Sequence, residues 1–310
     1  MPKNVKSPAD YILPLYINGL SGRMIRLPAP KGKNREILFI YGSHASLERW
    51  WGLALALNKL GAVTMPDLPG LGGMTSLYKI GQTPTIDNLA DYLAAFLKLR
   101  YKNKKVTILG MSLGFVIVTR MLQKYPHLTS KVDNLISVVG FVHKSDLTFS
   151  KKRLFIYTLA SKVFARKWPA IFFRYTALQP FLIRSVYHKT INAKDKFAHI
   201  APEKFEETMD MEIKLWHAND VRTQFRNYLD MFSLDNTKKR INLPVYHVAA
   251  KHDRYFDNLL VEEHMRRVFD DFTIYYTAIP NHAPTVIATI KDADPFIPTA
   301  LKNKINKNKH

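Results

Sequence analysis

The chain has 310 residues, of which 47% are hydrophobic, and it carries 46 Lys/Arg against 25 Asp/Glu for a net charge of +21. That length and apolar content fit one large α/β domain, or a core domain with an insertion. The absence of cysteine excludes disulfides, thiolate metal sites and a cysteine nucleophile. No run reaches 18 uncharged apolar residues, so a membrane-spanning helix is not expected.

The N-terminal stretch MPKNVKSPADYILPLYINGL has no apolar segment ahead of a small-residue cleavage site. The expectation is a cytoplasmic protein that the basic charge could hold at a membrane surface. Two strands open the fold: YILPLYI and RMIRLPA flank Asn18-Gly19, a dipeptide suited to a tight hairpin. Apolar runs follow at EILFIYG (36–42), AVTMPD (62–67), KVTILG (105–110), LISVVGF (135–141), PVYHVAA (244–250) and TIYYTAI (273–279). Such near-continuous runs suit parallel strands buried on both faces.

Helical periods separate these strands. Ile86, Leu89, Ala90, Leu93 and Leu97 recur on one face, behind Thr85 as N-cap. LGFVIVTRMLQK starts just after Ser112 and should stop at Tyr125-Pro126. VEEHMRRVF (261–269) is another helix. Strand–helix alternation predicts an α/β fold with a mostly parallel sheet. The alternation breaks between about 143 and 240, which reads as a helical lid over the sheet's carboxyl edge. The expected organisation is core at 10–142, lid at 143–240, core at 241–300 and a basic, solvated tail at 301–310.

The chemistry centres on Gly110-Met111-Ser112-Leu113-Gly114. Chance supplies only about 0.02 G-x-S-x-G matches in a chain with this much glycine and serine. The match also lies between a strand pattern and a helix pattern, the context a nucleophile elbow requires. The backbone N–H of Leu113, at the helix start, is placed to stabilise an oxyanion. A base is available in His282, after the last strand pattern, and an orienting acid in Asp253, after the preceding one. Asp257 is the rival acid, unless it caps the next helix, and Asp146 stands third.

The order Ser112…Asp253…His282 resembles that of the α/β-hydrolase superfamily, and the resemblance runs from about residue 13 to 290. Tyr41-Gly42-Ser43 resembles its His-Gly-x oxyanion loop, with Trp50-Trp51 at the usual helix position. Asp67-Leu68-Pro69-Gly70-Leu71-Gly72 resembles its D-x-P-G-x-G loop. The resemblance implies a second oxyanion donor at the Ser43 N–H, and a substrate site lined by Tyr41, Gly42 and Met111. Tyr41 departs from the usual histidine, Gly73-Met74 from a Gly-x-Ser ending, and Phe115 from a small residue after the elbow.

The implied activity is that of a serine hydrolase cleaving an ester or related acyl substrate, esterase- or lipase-like. The alternatives are an acyltransferase with the same triad and a non-catalytic binding protein on this fold, which Tyr41 favours. A serine at the elbow points away from the dehalogenases and epoxide hydrolases of this fold, which carry aspartate there.

No cofactor and no metal is expected. H-E-x-x-H, P-loop and EF-hand patterns are absent, PGLGG lacks dinucleotide spacing, and His247, His252 and His264 have no ligand spacing. Twelve Lys/Arg against Asp146 and Asp195 lie between Lys144 and Lys196, interleaved with aromatics from Phe149 to Phe181. The expected partner is a hydrophobic acyl small molecule, with peripheral contact to an anionic membrane as a second reading. No motif supports a nucleic-acid partner.

Overall fold

The structure is a computed structural model that describes residues 7–189, 202–277, 282 and 289–307. Residues 278–279 of the last expected strand, Lys194 to Lys196 of the basic segment and the tail end at 308–310 lie outside the described residues.

Asn18 and Gly19 both take positive φ, 49° and 78°. That is the geometry a two-residue hairpin turn requires, and it joins β1 (Ile12–Ile17) to β2 (Leu20–Leu27) with Ile17 opposite Leu20. β1 exposes Leu13, Pro14 and Tyr16 and buries Leu15 and Ile17, as an edge strand does. β3 (Glu36–Ile40), β4 (Ala62–Pro66) and β5 (Val106–Met111) are buried at every position. β6 (Val132–Val138), β7 (Ile241–Ala250) and β8 (Phe269–Thr277) complete a sheet of order β1-β2-β4-β3-β5-β6-β7-β8. β2 runs antiparallel to β1 and β4, and all other pairs are parallel.

The chain steps outward from β3 to β4, then returns to place β5 on the other side of β3. The strand order reverses there, and in open α/β sheets the crevice at the carboxyl ends of such strands is where ligands bind. The loops after β3 and β5 carry Gly42-Ser43 and Ser112.

Helices α1 (Trp51–Asn58), α2 (Ile86–Arg100) and α3 (Leu113–Lys124) follow the first strands. Thr85 caps α2 by accepting from the Asn88 N–H at 3.1 Å. Between β6 and β7 lie α4 (Lys151–Phe164), α5 (Lys167–Thr176), α6 (Pro180–Lys189), α7 (Pro202–Ala218) and α8 (Val221–Phe232). α5 to α8 share a small core of their own, built on Ala170, Leu178, Ile183, Met209 and Val221. It is separate from the main core around the sheet.

After β7 come α9 (Asn258–Val268), and after β8 α10 (Ile290–Ala293) and α11 (Thr299–Lys307). The last of these corrects the expected solvated tail. Leu301 and Ile305 lie four residues apart on one helical face, at 0% and 1% exposure, and join the main core. The lysines between them hid an amphipathic helix.

Candidate functional site

Ser112 sits between β5 and α3 with φ 49° and ψ −121°. A non-glycine residue rarely adopts this conformation, and the surrounding structure must hold it there. The Ser112 N–H donates to the Val138 carbonyl at 3.1 Å, tying the turn to β6. The Ser112 carbonyl accepts from the N–H groups of Phe115 and Val116, so α3 begins at once. The flanking glycines answer to close approach. A Cβ on Gly110 would lie 2.7 Å from Phe115 Cα, and one on Gly114 would lie 2.2 Å from the Ile40 carbonyl oxygen. Only hydrogen at both positions lets the strand turn this sharply into a helix packed on β3.

Asp253 lies just past β7, with its side chain 2% exposed. Its Oδ1 accepts from the Tyr255 and Phe256 N–H groups at 2.8 and 3.3 Å. Its Oδ2 pairs with His282 Nδ1 at 2.8 Å. The imidazole is held edge-on against Tyr255 and Phe256, with ring centroids 5.4 and 5.0 Å away. A carboxylate fixed by two backbone donors, gripping Nδ1, sets the tautomer that leaves Nε2 to accept a proton. Ser112, Asp253 and His282 all follow the carboxyl ends of strands on the same side of the switch point. Asp257 is spent elsewhere: it caps α9, accepting from the Leu259 and Leu260 N–H groups.

The β3 loop meets the elbow directly. A Cβ on Gly42 would lie 3.0 Å from Ser112 Cβ and 3.6 Å from the Leu113 nitrogen. Gly42 thus packs against Ser112 and the Leu113 nitrogen, with Ser43 the next residue in the chain. Tyr41, expected to line the substrate site, is placed differently. It is fully buried, and its hydroxyl donates to Asp67 Oδ1 at 2.6 Å. Asp67 Oδ2 accepts from Arg23 Nε at 3.2 Å, and Arg23 also reaches Glu48 and the Gly72 carbonyl. Burial pushes the Asp67 carboxyl up to about 7 against these donors, and pushes the Tyr41 phenol up as well. The phenol is thus a neutral strut that ties the β3 loop to the loop after β4. Met111 is likewise 1% exposed and belongs to the main core.

One polar cluster was not expected from the sequence. His44, with φ 51°, follows Ser43, and its carbonyl accepts from the buried Arg49 at 2.6 Å. His44 Nε2 pairs with Glu212 of α7 at 3.1 Å, Nδ1 lies 3.4 Å from Gln224 Nε2 of α8, and the ring lies 4.5 Å from Trp216. Glu212 is fully buried and accepts from Tyr187 of α6 at 2.9 Å. Burial and the neighbouring Glu212 push the Tyr187 phenol up, so it stays a donor. Glu212 also supplies countercharge to Arg49. The insertion thus grips the residue next to Ser43. The adjacency of His44 to the Tyr41-Gly42-Ser43 motif was the one sequence signal that could have flagged it.

Asp146 is also committed away from His282. Its Oδ2 accepts from the Val142 and His143 N–H groups at 3.0 Å each, and its Oδ1 pairs with His264 Nδ1 at 2.5 Å. His143, Asp146 and His264 bring potential ligating atoms within 4.8 Å of one another. Those of Asp146 are already occupied by these internal bonds. His247 is 1% exposed and pairs through Nδ1 with Ser137 Oγ at 2.8 Å, while His252 lies in an exposed turn.

A family model described as the α/β-hydrolase fold matches residues 36–175, from β3 to α5. A search of curated proteins found no match. Solved structures do match across nearly the whole length. A putative lipase from Acinetobacter baumannii AYE is 18% identical, with 100% of both chains covered and a TM-score of 0.64. The enol-lactonase from Burkholderia xenovorans LB400 is 14% identical, covering 96% of this chain and 99% of its own, with a TM-score of 0.65. The epoxide hydrolase CorEH is 13% identical, covering 95% and 98%, with a TM-score of 0.62. Identities this low speak for the fold and leave the chemistry to the site. Among the described residues no helix is long and apolar enough to cross a membrane. With this strand order, the turn at Ser112 and these matches, the chain has the α/β-hydrolase fold.

Proposed function

We propose that this protein is a serine hydrolase acting on an ester or related acyl substrate, esterase- or lipase-like, with Ser112 as nucleophile. The observation that carries the reading is Ser112 held at φ 49° on the turn between β5 and α3, at the sheet edge that also bears the Asp253–His282 hydrogen bond. His282 Nε2 takes the Ser112 hydroxyl proton as Oγ attacks the acyl carbonyl. Asp253 steadies the imidazolium that forms, and the N–H groups of Leu113 and Ser43 receive the developing oxyanion. Collapse expels the alcohol, which takes its proton from His282, and leaves Ser112 acylated. Water then attacks, His282 again accepting a proton, and the acid departs as Ser112 is restored.

The lipase, lactonase and epoxide hydrolase among the matching structures show that the fold admits several chemistries. A serine rather than an aspartate at the elbow favours acyl chemistry here. The test is turnover of short p-nitrophenyl esters. Ser112→Ala should lower kcat by about 10³-fold or more, and Asp253→Asn by about 10²-fold or more. Full turnover by Ser112→Ala would sink the assignment.

A further inference from the structure

Eleven of the sixteen exposed large hydrophobic residues among those described fall between Phe155 and Val186, on three consecutive helices of the insertion. Scattered exposed apolar residues are ordinary, but a concentration of this kind marks an interaction surface. α4 presents Phe155 and Leu159 one turn apart. α5 presents Trp168, Phe172 and Tyr175 at i, i+4 and i+7, and α6 presents Phe181. Trp168 is 74% exposed, while Ala170 of α5, Ile183 of α6 and Leu178 between them are buried in the insertion's own core. The exposed apolar residues lie outside that core.

Charge selects the occupant. Residues 151–189 contain nine Lys/Arg and no Asp or Glu. Lys151, Lys152, Lys162, Arg166 and Lys167 are exposed among the apolar positions. Two copies of such a face would repel one another, whereas an anionic surface with an apolar interior would take both components at once. Large aromatic side chains edged by lysine and arginine suit the boundary between headgroups and acyl chains.

We propose that the outer face of α4, α5 and α6 docks on an anionic lipid bilayer, its aromatic side chains entering the headgroup–acyl boundary and its cations meeting lipid phosphates. The docking does not depend on the reading of Ser112 as a nucleophile, and Ser112→Ala protein should dock as the native protein does.

Trp168 supplies the readout, because Trp50 and Trp51 are buried and Trp216 is half-buried. The full-length protein is titrated with vesicles of phosphatidylcholine alone, or of equal phosphatidylcholine and phosphatidylglycerol, while following tryptophan emission and flotation. We expect a blue shift and co-flotation with the mixed vesicles at low salt, weakened about tenfold or more at high salt. Pure phosphatidylcholine should bind about tenfold or more weakly. Trp168→Phe should abolish the shift while retaining flotation. Trp168→Ser combined with Phe172→Ser should lose flotation at an unchanged melting temperature, since both side chains are exposed. Absence of binding to mixed vesicles at low salt overturns the proposal. So does equal, salt-independent binding to pure phosphatidylcholine, or a stable dimer that buries Trp168 and excludes vesicles.

Discussion

Ser112 keeps a backbone conformation that costs about 1–3 kcal/mol, and the price is met by neighbours that leave it no alternative. Tyr41 shows the same dependence from the other side of the loop. Its hydroxyl donates to Asp67, whose carboxylate is buried beside Arg23. Tyr41→Phe should therefore destabilise the fold by about 1–3 kcal/mol while leaving kcat within a few-fold of native. Denaturant unfolding beside ester kinetics checks both halves, and a large loss of kcat in a stably folded variant would put the phenol in the chemistry. His247 makes a prediction in pH. Burial on β7 pulls its imidazole down to about 3. Below about pH 6.5 the unfolded chain takes up a proton that the folded chain refuses. Stability should thus fall with decreasing pH, by up to about 1.4 kcal/mol per unit from this group between about 6.5 and 3. His247→Gln should flatten that acid limb in urea midpoints measured across this range, and an unchanged slope would contradict the assignment. At this scale the sequence offers Ser112, Asp253 and His282 as candidates because each follows a strand end, and the structure pairs Asp253 with His282. It could not show that Tyr41 turns into the core, since that depends on Asp67 lying beside it in space.

Among the elements, the buried parallel strands were legible because burial on both faces leaves near-continuous apolar runs. The helix expected over 261–269 runs instead over Asn258–Val268, starting directly after its cap Asp257. α11 was missed because a helix buried along one narrow stripe, Leu301 and Ile305, looks like a lysine-rich tail. Beyond the adjacency of His44 to the Tyr41-Gly42-Ser43 motif, the sequence carries no sign of the insertion's grip on the β3 loop: His44 and Glu212 are 168 residues apart, and no period links them. That grip is testable. Glu212→Ala strips a buried carboxylate from His44, Arg49 and Tyr187, and should cost about 3 kcal/mol or more of stability. Hydrogen exchange should quicken in α7 and in the loop after β3, while β5 and β6 keep their protection. Native exchange in α7 of the variant would show that Glu212 does not hold the insertion down.

At the scale of the molecule, two cores meet across a polar seam. The sheet and its flanking helices carry Ser112, Asp253 and His282, and the insertion carries an aromatic, cationic outer face. The seam of His44, Glu212, Arg49 and Gln224 lies next to Ser43, so the insertion's seating and the candidate oxyanion loop are mechanically joined. The α/β architecture was clear from strand–helix alternation, and the insertion from the break in it. The exposure of the insertion's aromatic residues was not, since the same residues at helical spacing could equally have faced inward. The central claim remains that Ser112 is a nucleophile activated by His282. Intact mass after treatment with a fluorophosphonate tests it most directly. The native protein should gain one phosphonyl adduct on Ser112, His282→Ala should label far more slowly, and Ser112→Ala should gain none. Equal labelling of native and Ser112→Ala protein, or none of the native protein, would contradict the account.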